Sequence, residues 1–203
     1  MTTVYFVRHA DVQNPNKVLY GHLDGFPLSP LGRAQSELLA ERLADSGIGR
    51  IVSSPLERAQ ETAGYIARRL GGVEVEIDSE LREAEMGRHL QGLRYWQIPL
   101  LRPKWYVHKW KRGVLPFDEP ISILGGRVLA VAERLARENP QHPSAIVSHA
   151  DPLQAAWVLL DKRPHNEREM GRKVVDKAGM LTVRYEDGAP VTWEYTPPPK
   201  VPA

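Results

Sequence analysis

The sequence predicts an α/β fold in three layers: a doubly wound, mostly parallel sheet with helices on both faces and a helical lid insertion. Short apolar runs that are typical of buried strands alternate along the chain with longer segments of helical periodicity. Two of the apolar runs, 4–7 and 145–147, are directly followed by the strings Arg8-His9-Ala10 and Ser148-His149-Ala150. Because open α/β sheets bind ligands at the carboxyl ends of their strands, we expect both histidines at one binding edge.

The first half of the chain predicts three strands and two helices. The strands are expected at 4–7, 50–53 and 73–77. The first helix follows a polar, turn-rich segment and is expected to begin after Ser29, with Pro30 at its first position, and to end at Gly47. The second helix is expected to be capped by Ser54-Pro55 and to end at Gly71-Gly72.

The second half predicts two helices and three strands. One helix is expected over 127–137 and another from Asp151-Pro152 onward. The strands are expected at 145–148, 180–185 and 191–195, the last two joined by a turn at Asp187-Gly188. We expect a single domain over 1–196 and a flexible, proline-rich tail over 197–203.

Composition excludes several classes of protein. The chain has no cysteine, which excludes disulfide scaffolds, thiolate zinc sites and cysteine catalysis. Its formal net charge of +2 is too small to point to nucleic acid. No apolar stretch approaches the roughly 18 residues that a membrane span needs. We therefore expect a cytoplasmic protein with a small-molecule partner and with neither a membrane nor a nucleic-acid partner; its oligomeric state is not indicated.

The segment 88–112 breaks the alternation of strands and helices. It holds seven lysines or arginines, no acid, and three of the five tryptophans. We expect it to lie in a helical lid insertion over about 88–120. One interpretation is a basic solvated surface with aromatic residues beneath it, and the other is a lid that admits an anionic substrate.

A candidate phosphate site combines four side chains: Arg8, His9, Arg58 and His149. Phosphoryl transfer needs a nucleophile, donors for the charged oxygens and an acid for the leaving group. Imidazole is a competent nucleophile near neutral pH, so His9 is the predicted nucleophile. A lone histidine after a strand is more often structural, but arginines favour phosphate here because each can donate two parallel hydrogen bonds.

The general acid is expected just after the third predicted strand. Glu83 and Glu85 both lie there, and position alone does not choose between them. The acid must be protonated near neutral pH, which requires burial or nearby negative charge to raise its pKa.

Five landmarks in chain order resemble the histidine phosphatase superfamily, in its phosphoglycerate-mutase-like branch. The family motif Ser-Ser-Pro-Leu-x-Arg-Ala-x-x-Thr-Ala is matched residue for residue by 53–63. The family's Arg-His-Gly, Asp…Pro-Leu-Thr/Ser…Gly, Leu-x-Glu…Gly and Ser-His-Gly motifs are similar to Arg8-His9-Ala10, 21–32, 81–87 and Ser148-His149-Ala150. Together these landmarks extend over nearly the whole chain.

This resemblance implies a two-step mechanism that uses no metal ion and no cofactor. His9 attacks phosphorus and forms a phosphohistidine. Glu83, which the Leu-x-Glu motif selects over Glu85, protonates the leaving oxygen and then activates a water. Arg8, Arg58 and His149 hold the phosphoryl oxygens throughout.

The resemblance also implies secondary contacts around the phosphate. Asn14 matches the family's phosphate-contacting asparagine, with Asn16 as the competing choice. His22 is expected to bind substrate, and Ala150 to lie against the phosphate.

The sequence departs from the family pattern in three places. Ala10 and Ala150 replace glycines, which is compatible with phosphate binding if their φ angles are negative. The family spacing between the first histidine and the polar loop is one residue longer. After Gly87, the family's aromatic-acid-Gly string is replaced by 88–92.

Three functions are compatible with these residues. The predicted function is a phosphomonoester hydrolase acting on a small phosphorylated metabolite. A phosphoglycerate mutase is the first alternative, but the polar signature expected of a mutase lid is absent from 88–120. A non-catalytic phosphate-binding regulatory protein is the second alternative.

Overall fold

In the computed structural model, which describes residues 1–85, 90–104 and 119–202, six strands form one mixed sheet with the order β3-β2-β4-β1-β5-β6. The strands are β1 (Thr2–Arg8), β2 (Arg50–Ser53), β3 (Val75–Ile77), β4 (Ser144–Ser148), β5 (Met180–Glu186) and β6 (Ala189–Thr196). Strands β1 to β4 pair in parallel, and β5 and β6 add an antiparallel hairpin. The predicted fold class and its mostly parallel sheet are confirmed.

Six helices accompany the sheet in the described residues. They are α1 (Pro30–Arg42), α2 (Glu57–Arg69), α3 (Ile98–Leu101), α4 (Ile121–Glu138), α5 (Ala150–Leu160) and α6 (Glu167–Met170). The predicted N-cap of α1 is confirmed, because the Ser29 side chain accepts a hydrogen bond from Gly32 N. Gly32 is required there, since a Cβ would lie 2.0 Å from the Asp11 carbonyl oxygen.

Two helix starts differ from the sequence-based prediction. The N-cap of α2 is Leu56, which makes no side-chain capping bond, so the expectation that Ser54-Pro55 caps this helix is wrong. The Ser54 hydroxyl bonds instead to His149. Helix α4 begins at Ile121, six residues before the predicted start at Arg127, because buried residues continue its apolar face toward its N-terminus.

Alternate residues of the strands pack against helices on the two faces of the sheet. Val4 and Phe6 of β1 face one core, to which α4 and α5 contribute. Val7 faces the other core, which is built with residues of α1 and α2. This period of two is what a central strand covered on both sides requires.

The adjacent parallel strands β1 and β4 form a topological switch point. Their carboxyl ends are joined where His9 N donates to Ser148 O at 3.0 Å. The first helix after β1 is α1 and the helix after β4 is α5, and these two pack on opposite faces of the sheet. In such sheets ligands bind above the strand ends at a switch point, and the region above the ends of β1 and β4 is here called the crevice.

The beginning of the predicted lid is attached to the loop after β1. Backbone hydrogen bonds join Leu19 to Leu93 and Lys17 to Tyr95. A 3₁₀ turn (Tyr95–Gln97) and α3 follow. The remainder of the predicted lid, at 88–89 and 105–118, lies outside the described residues. The role of the basic, tryptophan-rich segment stays a prediction.

Two further expectations concern the chain ends and the membrane. Pro197 O accepts a hydrogen bond from Arg42 at 2.7 Å, and no strand or helix is formed over 197–202. The single domain and the flexible tail stay predictions. Across the described ranges, no helix combines the length and the apolar content that crossing a bilayer demands.

Candidate active site

His9 follows β1 and is almost completely buried, with 1% of the residue exposed. Its Nδ1 donates a hydrogen bond to the Ala10 carbonyl oxygen at 2.8 Å. Since a carbonyl can only accept, the proton of the neutral ring is fixed on Nδ1 and Nε2 keeps its lone pair. Arg58 Nε donates to this Nε2 at 3.3 Å. His9 Nε2 is therefore equipped as a nucleophile beside a cation.

The backbone around His9 is held by α2. Ala10 N donates to Thr62 Oγ1 at 3.1 Å, and the Thr62 hydroxyl donates to Arg58 O at 2.8 Å. Thr62 and Arg58 lie one helical turn apart, so a single helix fixes the backbone beside His9 and supplies the neighbouring guanidinium. This accounts physically for their spacing in the motif at 53–63.

The protonation state of His9 suits nucleophilic attack. Burial lowers the pKa of His9 well below its usual value, and the positive charges of Arg58 and Arg8 lower it further. The imidazole is therefore neutral at neutral pH, as its tautomer requires.

Arg58 is fixed on three sides in the crevice. The residue is 1% exposed, and its Nη2 donates to Gly21 O at 2.8 Å. The ring of Tyr20 lies against the guanidinium, with Arg58 Cζ 4.7 Å from the ring centroid. Gly21 has a φ of 44°, a left-handed conformation that glycine adopts without strain. The loop after β1 thus orients the arginine toward His9.

Arg8 and His149 complete a group of donors around His9. The rings of His9 and His149 have centroids 5.0 Å apart. Arg8 Nη1 donates to Val175 O at 2.7 Å. Arg8 Nε and His149 Nδ1 are buried and have no hydrogen-bond partner among the described residues. Two guanidiniums and unpaired buried nitrogens fit an anion with several oxygens better than a cation.

His149 is neutral and held by a hydroxyl. Burial lowers the pKa of His149 well below its usual value, with His9 and Arg58 acting in the same direction. Its Nε2 lies 2.8 Å from Ser54 Oγ. Because β2 and β4 are neighbours, the residues that follow them meet at the same edge. The predicted convergence of His9, His149 and Arg58 is present in the structure.

Glu83 and Glu85 differ sharply in their surroundings. Glu83 is 8% exposed, whereas Glu85 lies at the surface. Burial raises the pKa of the Glu83 carboxyl, although the Ala84 N–H, which donates to Glu83 Oε1, and the charge of Arg58 oppose the shift. A buried carboxyl with a raised pKa can carry the proton that a general acid must donate. Its role as the acid stays a prediction.

His22 and Asn14, the predicted secondary contacts, both bind backbone. His22 Nε2 donates to the Glu83 carbonyl oxygen at 2.7 Å, so this histidine holds the segment that carries Glu83. The side-chain amide of Asn14 bonds at both ends to Val18, donating to its carbonyl and accepting from its N–H. Phosphate contact by Asn14 and substrate contact by His22 stay predictions.

The two alanines that replace family glycines have ordinary backbone conformations. Neither Ala10 nor Ala150 has a positive φ. Negative φ angles at these two alanines are the condition for phosphate binding that the sequence indicates, and this condition is met. Ala150 is the first residue of α5, with His149 as its N-cap, so the positive end of this helix dipole lies beside His149. That position is compatible with the predicted phosphate contact.

Sequence reasoning did not identify Ser54, Thr62 or Tyr20 as residues of the site. Ser54 and Thr62 lie within the motif at 53–63, so their position in it was the available signal. Lys177 was also missed. Its ammonium pairs with Asp11 Oδ1 at 2.5 Å and contributes to the low pKa of His9. No sequence pattern indicates that Lys177 lies close to His9 and to Asp11, which is 166 residues away along the chain.

Throughout the described ranges, no group of three or more histidine, aspartate or glutamate side chains is arranged to hold a metal ion.

The buried histidines predict an acid-sensitive fold. Below pH 6.5 the unfolded chain takes up protons on His9 and His149 that the folded chain, with its lowered pKa values, does not take up. The free energy of unfolding should therefore decrease as pH falls from 6.5 toward the folded-state pKa values. Urea titrations over this range measure the change.

The matched control for this experiment is the double variant His9→Gln/His149→Gln. Its unfolding free energy should depend less steeply on pH. Glu83 acts in the opposite direction, because its raised pKa lets the folded chain take up a proton first. An equal slope in the variant would contradict the assignment of neutral histidines.

The chain is similar to known proteins in sequence over most of its length. The model of the histidine phosphatase superfamily (branch 1) matches residues 4–196. Phosphoglycerate mutase-like protein 4 of Arabidopsis thaliana is 40% identical over 160 residues, which are 76% of this chain and 69% of that protein. Putative phosphoserine phosphatase 2 of Hydrogenobacter thermophilus is 31% identical over 164 residues, covering 79% of each.

A solved structure extends the similarity to the fold. The mycobacterial glucosyl-3-phosphoglycerate phosphatase in complex with VO3 superposes with a TM-score of 0.81 at 25% sequence identity. The alignment covers 96% of this chain and 97% of that one.

Proposed function

The chain belongs to the histidine phosphatase superfamily, and from that premise we propose that it hydrolyses a small phosphorylated metabolite through a phosphohistidine on His9, without a metal ion. One observation carries the proposal. His9 Nε2 keeps its lone pair because Nδ1 is bonded to Ala10 O, and this atom faces the guanidinium of Arg58 within a buried crevice.

The first step forms a bond between His9 Nε2 and phosphorus and breaks the ester bond to the leaving oxygen. The proton of the Glu83 carboxyl passes to that oxygen, so the product alcohol leaves uncharged. Arg8, Arg58 and His149 stabilise the negative charge of the phosphoryl oxygens. The side chains thereby supply the charge stabilisation that a metal ion provides in other phosphatases.

The second step returns the enzyme to its initial state. The Glu83 carboxylate takes a proton from a water whose oxygen bonds to phosphorus, while the bond between phosphorus and His9 breaks. Inorganic phosphate leaves, and both side chains recover their original protonation.

Two of the proteins to which the chain is similar favour hydrolysis over mutase activity. A phosphatase superposes on it over nearly its full length, and a putative phosphatase is among its relatives. The relative from Arabidopsis thaliana, however, is named for its likeness to phosphoglycerate mutase. The two reactions differ in the acceptor of the phosphoryl group, which is water in the first and a sugar acid in the second.

The test is hydrolysis of a panel of phosphorylated metabolites by enzyme treated with a chelator. We expect inorganic phosphate to be released at an unchanged rate after chelation, and acid-labile phosphate to be trapped on histidine after a rapid quench. Loss of activity on chelation that a divalent cation restores would contradict the metal-independent route. Phosphoglycerate isomerisation that depends on a bisphosphoglycerate primer would identify a mutase, and binding without turnover would identify a regulatory protein.

A further inference from the structure

The buried hydroxyl of Ser54 contacts a ring nitrogen of His149 but has no part in the mechanism above. Ser54 is fully buried, and its Oγ lies 2.8 Å from His149 Nε2. The serine is fixed by its backbone, because Ser54 N donates to Val147 O at 2.9 Å, two residues before His149. The two side chains are thus held together by neighbouring strands.

Among the described residues, the hydrogen of the Ser54 hydroxyl has one acceptor in contact, which is His149 Nε2. Leu56 N donates to Ser54 Oγ at 3.3 Å, so a lone pair of that oxygen is already engaged. The hydroxyl's own hydrogen can then be given to His149 Nε2. In that arrangement the neutral ring carries its proton on Nδ1.

The opposite arrangement leaves one more buried group unsatisfied than the Nδ1–H form does. If His149 Nε2 carried the proton, it would donate to Ser54 Oγ and the hydroxyl hydrogen would lack an acceptor. His149 Nδ1 has no partner among the described residues in either tautomer, so the unsatisfied hydroxyl hydrogen decides between them. Each unsatisfied buried group costs free energy, so the structure favours the Nδ1–H form.

The position of the proton decides how His149 acts on an anion. A ring nitrogen that carries hydrogen donates to a phosphoryl oxygen, whereas a nitrogen with a lone pair repels it. We propose that Ser54 is a positioning residue that holds His149 in the Nδ1–H tautomer, so that His149 donates to the phosphoryl group. The catalytic part of this inference rests on the proposed function. If the ring gains a second proton, the Ser54 bond reverses and the Nδ1–H remains.

The direct test is the tautomer itself. Enzyme labelled with ¹⁵N-histidine gives ring nitrogen signals by NMR, and the His149 signals are assigned by their loss in His149→Asn. We expect a protonated Nδ1 and an unprotonated Nε2 in the wild type, and a shift of population toward Nε2–H in Ser54→Ala. A wild-type ring protonated at Nε2 alone would overturn the proposal.

The second readout is function. We expect Ser54→Ala to lower kcat/KM roughly 10- to 100-fold and to weaken inhibition by inorganic phosphate, because one oriented donor is lost. Ser54→Thr, which keeps the hydroxyl, should retain the wild-type NMR signature. Ser36→Ala is the control, since Ser36 is also fully buried and donates only to Gly32 O within α1. It should leave kcat/KM unchanged.

These outcomes separate this inference from the proposed function. An enzyme that hydrolyses no phosphate ester but shows the Nδ1–H signature would refute the function and leave the tautomer assignment intact. A folded Ser54→Ala variant that keeps both Nδ1–H and full kcat/KM would refute the role of Ser54 while the hydrolase stands. The wild-type spectrum decides the tautomer even if Ser54→Ala does not fold.

Discussion

Replacement of His9 by alanine should lower kcat by at least about 10⁴-fold, because among the described residues no other side chain at the site offers a comparable lone pair to phosphorus. The expected result has two parts: inorganic phosphate release falls to background, and no acid-labile phosphate is trapped on the variant. Both are measured with an aryl phosphate under single-turnover conditions. The variant removes the bond-forming atom and not merely a binding contact, so a higher substrate concentration should not restore the rate.

The control for this prediction is His142→Ala. His142 lies at the surface in the turn before β4, away from the crevice, so its replacement should leave turnover unchanged. Equal turnover by wild type and His9→Ala would show that another group forms the covalent bond or that none is formed.

The second large effect is expected for Glu83→Gln, and its size should depend on the leaving group. With an alkyl phosphate, whose alkoxide must be protonated as it leaves, kcat/KM should fall roughly 10²- to 10⁴-fold. With 4-nitrophenyl phosphate the loss of kcat/KM should be much smaller, because nitrophenolate leaves without a proton. Stopped-flow and steady-state rates for the two esters measure this difference.

The pH profile gives an independent check on Glu83. Burial raises the pKa of this carboxyl, so wild-type kcat/KM for the alkyl ester should fall as pH rises through that pKa and the acid loses its proton. The variant should lack this alkaline limb. Glu85→Gln is the matched control, because that carboxyl lies at the surface two residues away. A similar loss for both esters, or for both variants, would contradict the assignment.

Much of the fold could be predicted from local sequence. The apolar run of β1 and the cap of α1 depend on neighbours in the chain, so the sequence located them to within a few residues. The family resemblance is confirmed by the model match over 4–196. Even the conformation required of Ala10 was stated from its position beside His9.

The wrong cap of α2 arose where a distant residue competes for a local group. Ser54 has the residue type and position of a helix cap, and the prediction followed that local preference. In the structure its hydroxyl is used by His149, which lies 95 residues away along the chain. Tertiary contact outweighed the local signal, since a buried imidazole nitrogen without a partner is costly.

The segment 88–112 shows a different limit. Its charges and tryptophans allowed a solvated surface or a substrate lid, and composition alone does not place side chains relative to the crevice. The choice between a surface and a lid depends on contacts between residues that are distant in sequence. The bond between His22 and the Glu83 backbone is an example of such a contact in the neighbouring loop.

The order of residues along this chain was sufficient to predict the six strands, the start of α1 and the candidate reacting groups, because hydrophobic periodicity, caps and motifs are short-range properties. Only the folded chain decided which ring nitrogen of His9 keeps its lone pair, that Glu83 and not Glu85 is buried, and that Lys177 lies near His9. The physical reason is that protonation states are set by burial and by charges a few ångströms away. Those neighbours come from strands and loops that are remote in sequence and adjacent only in the sheet.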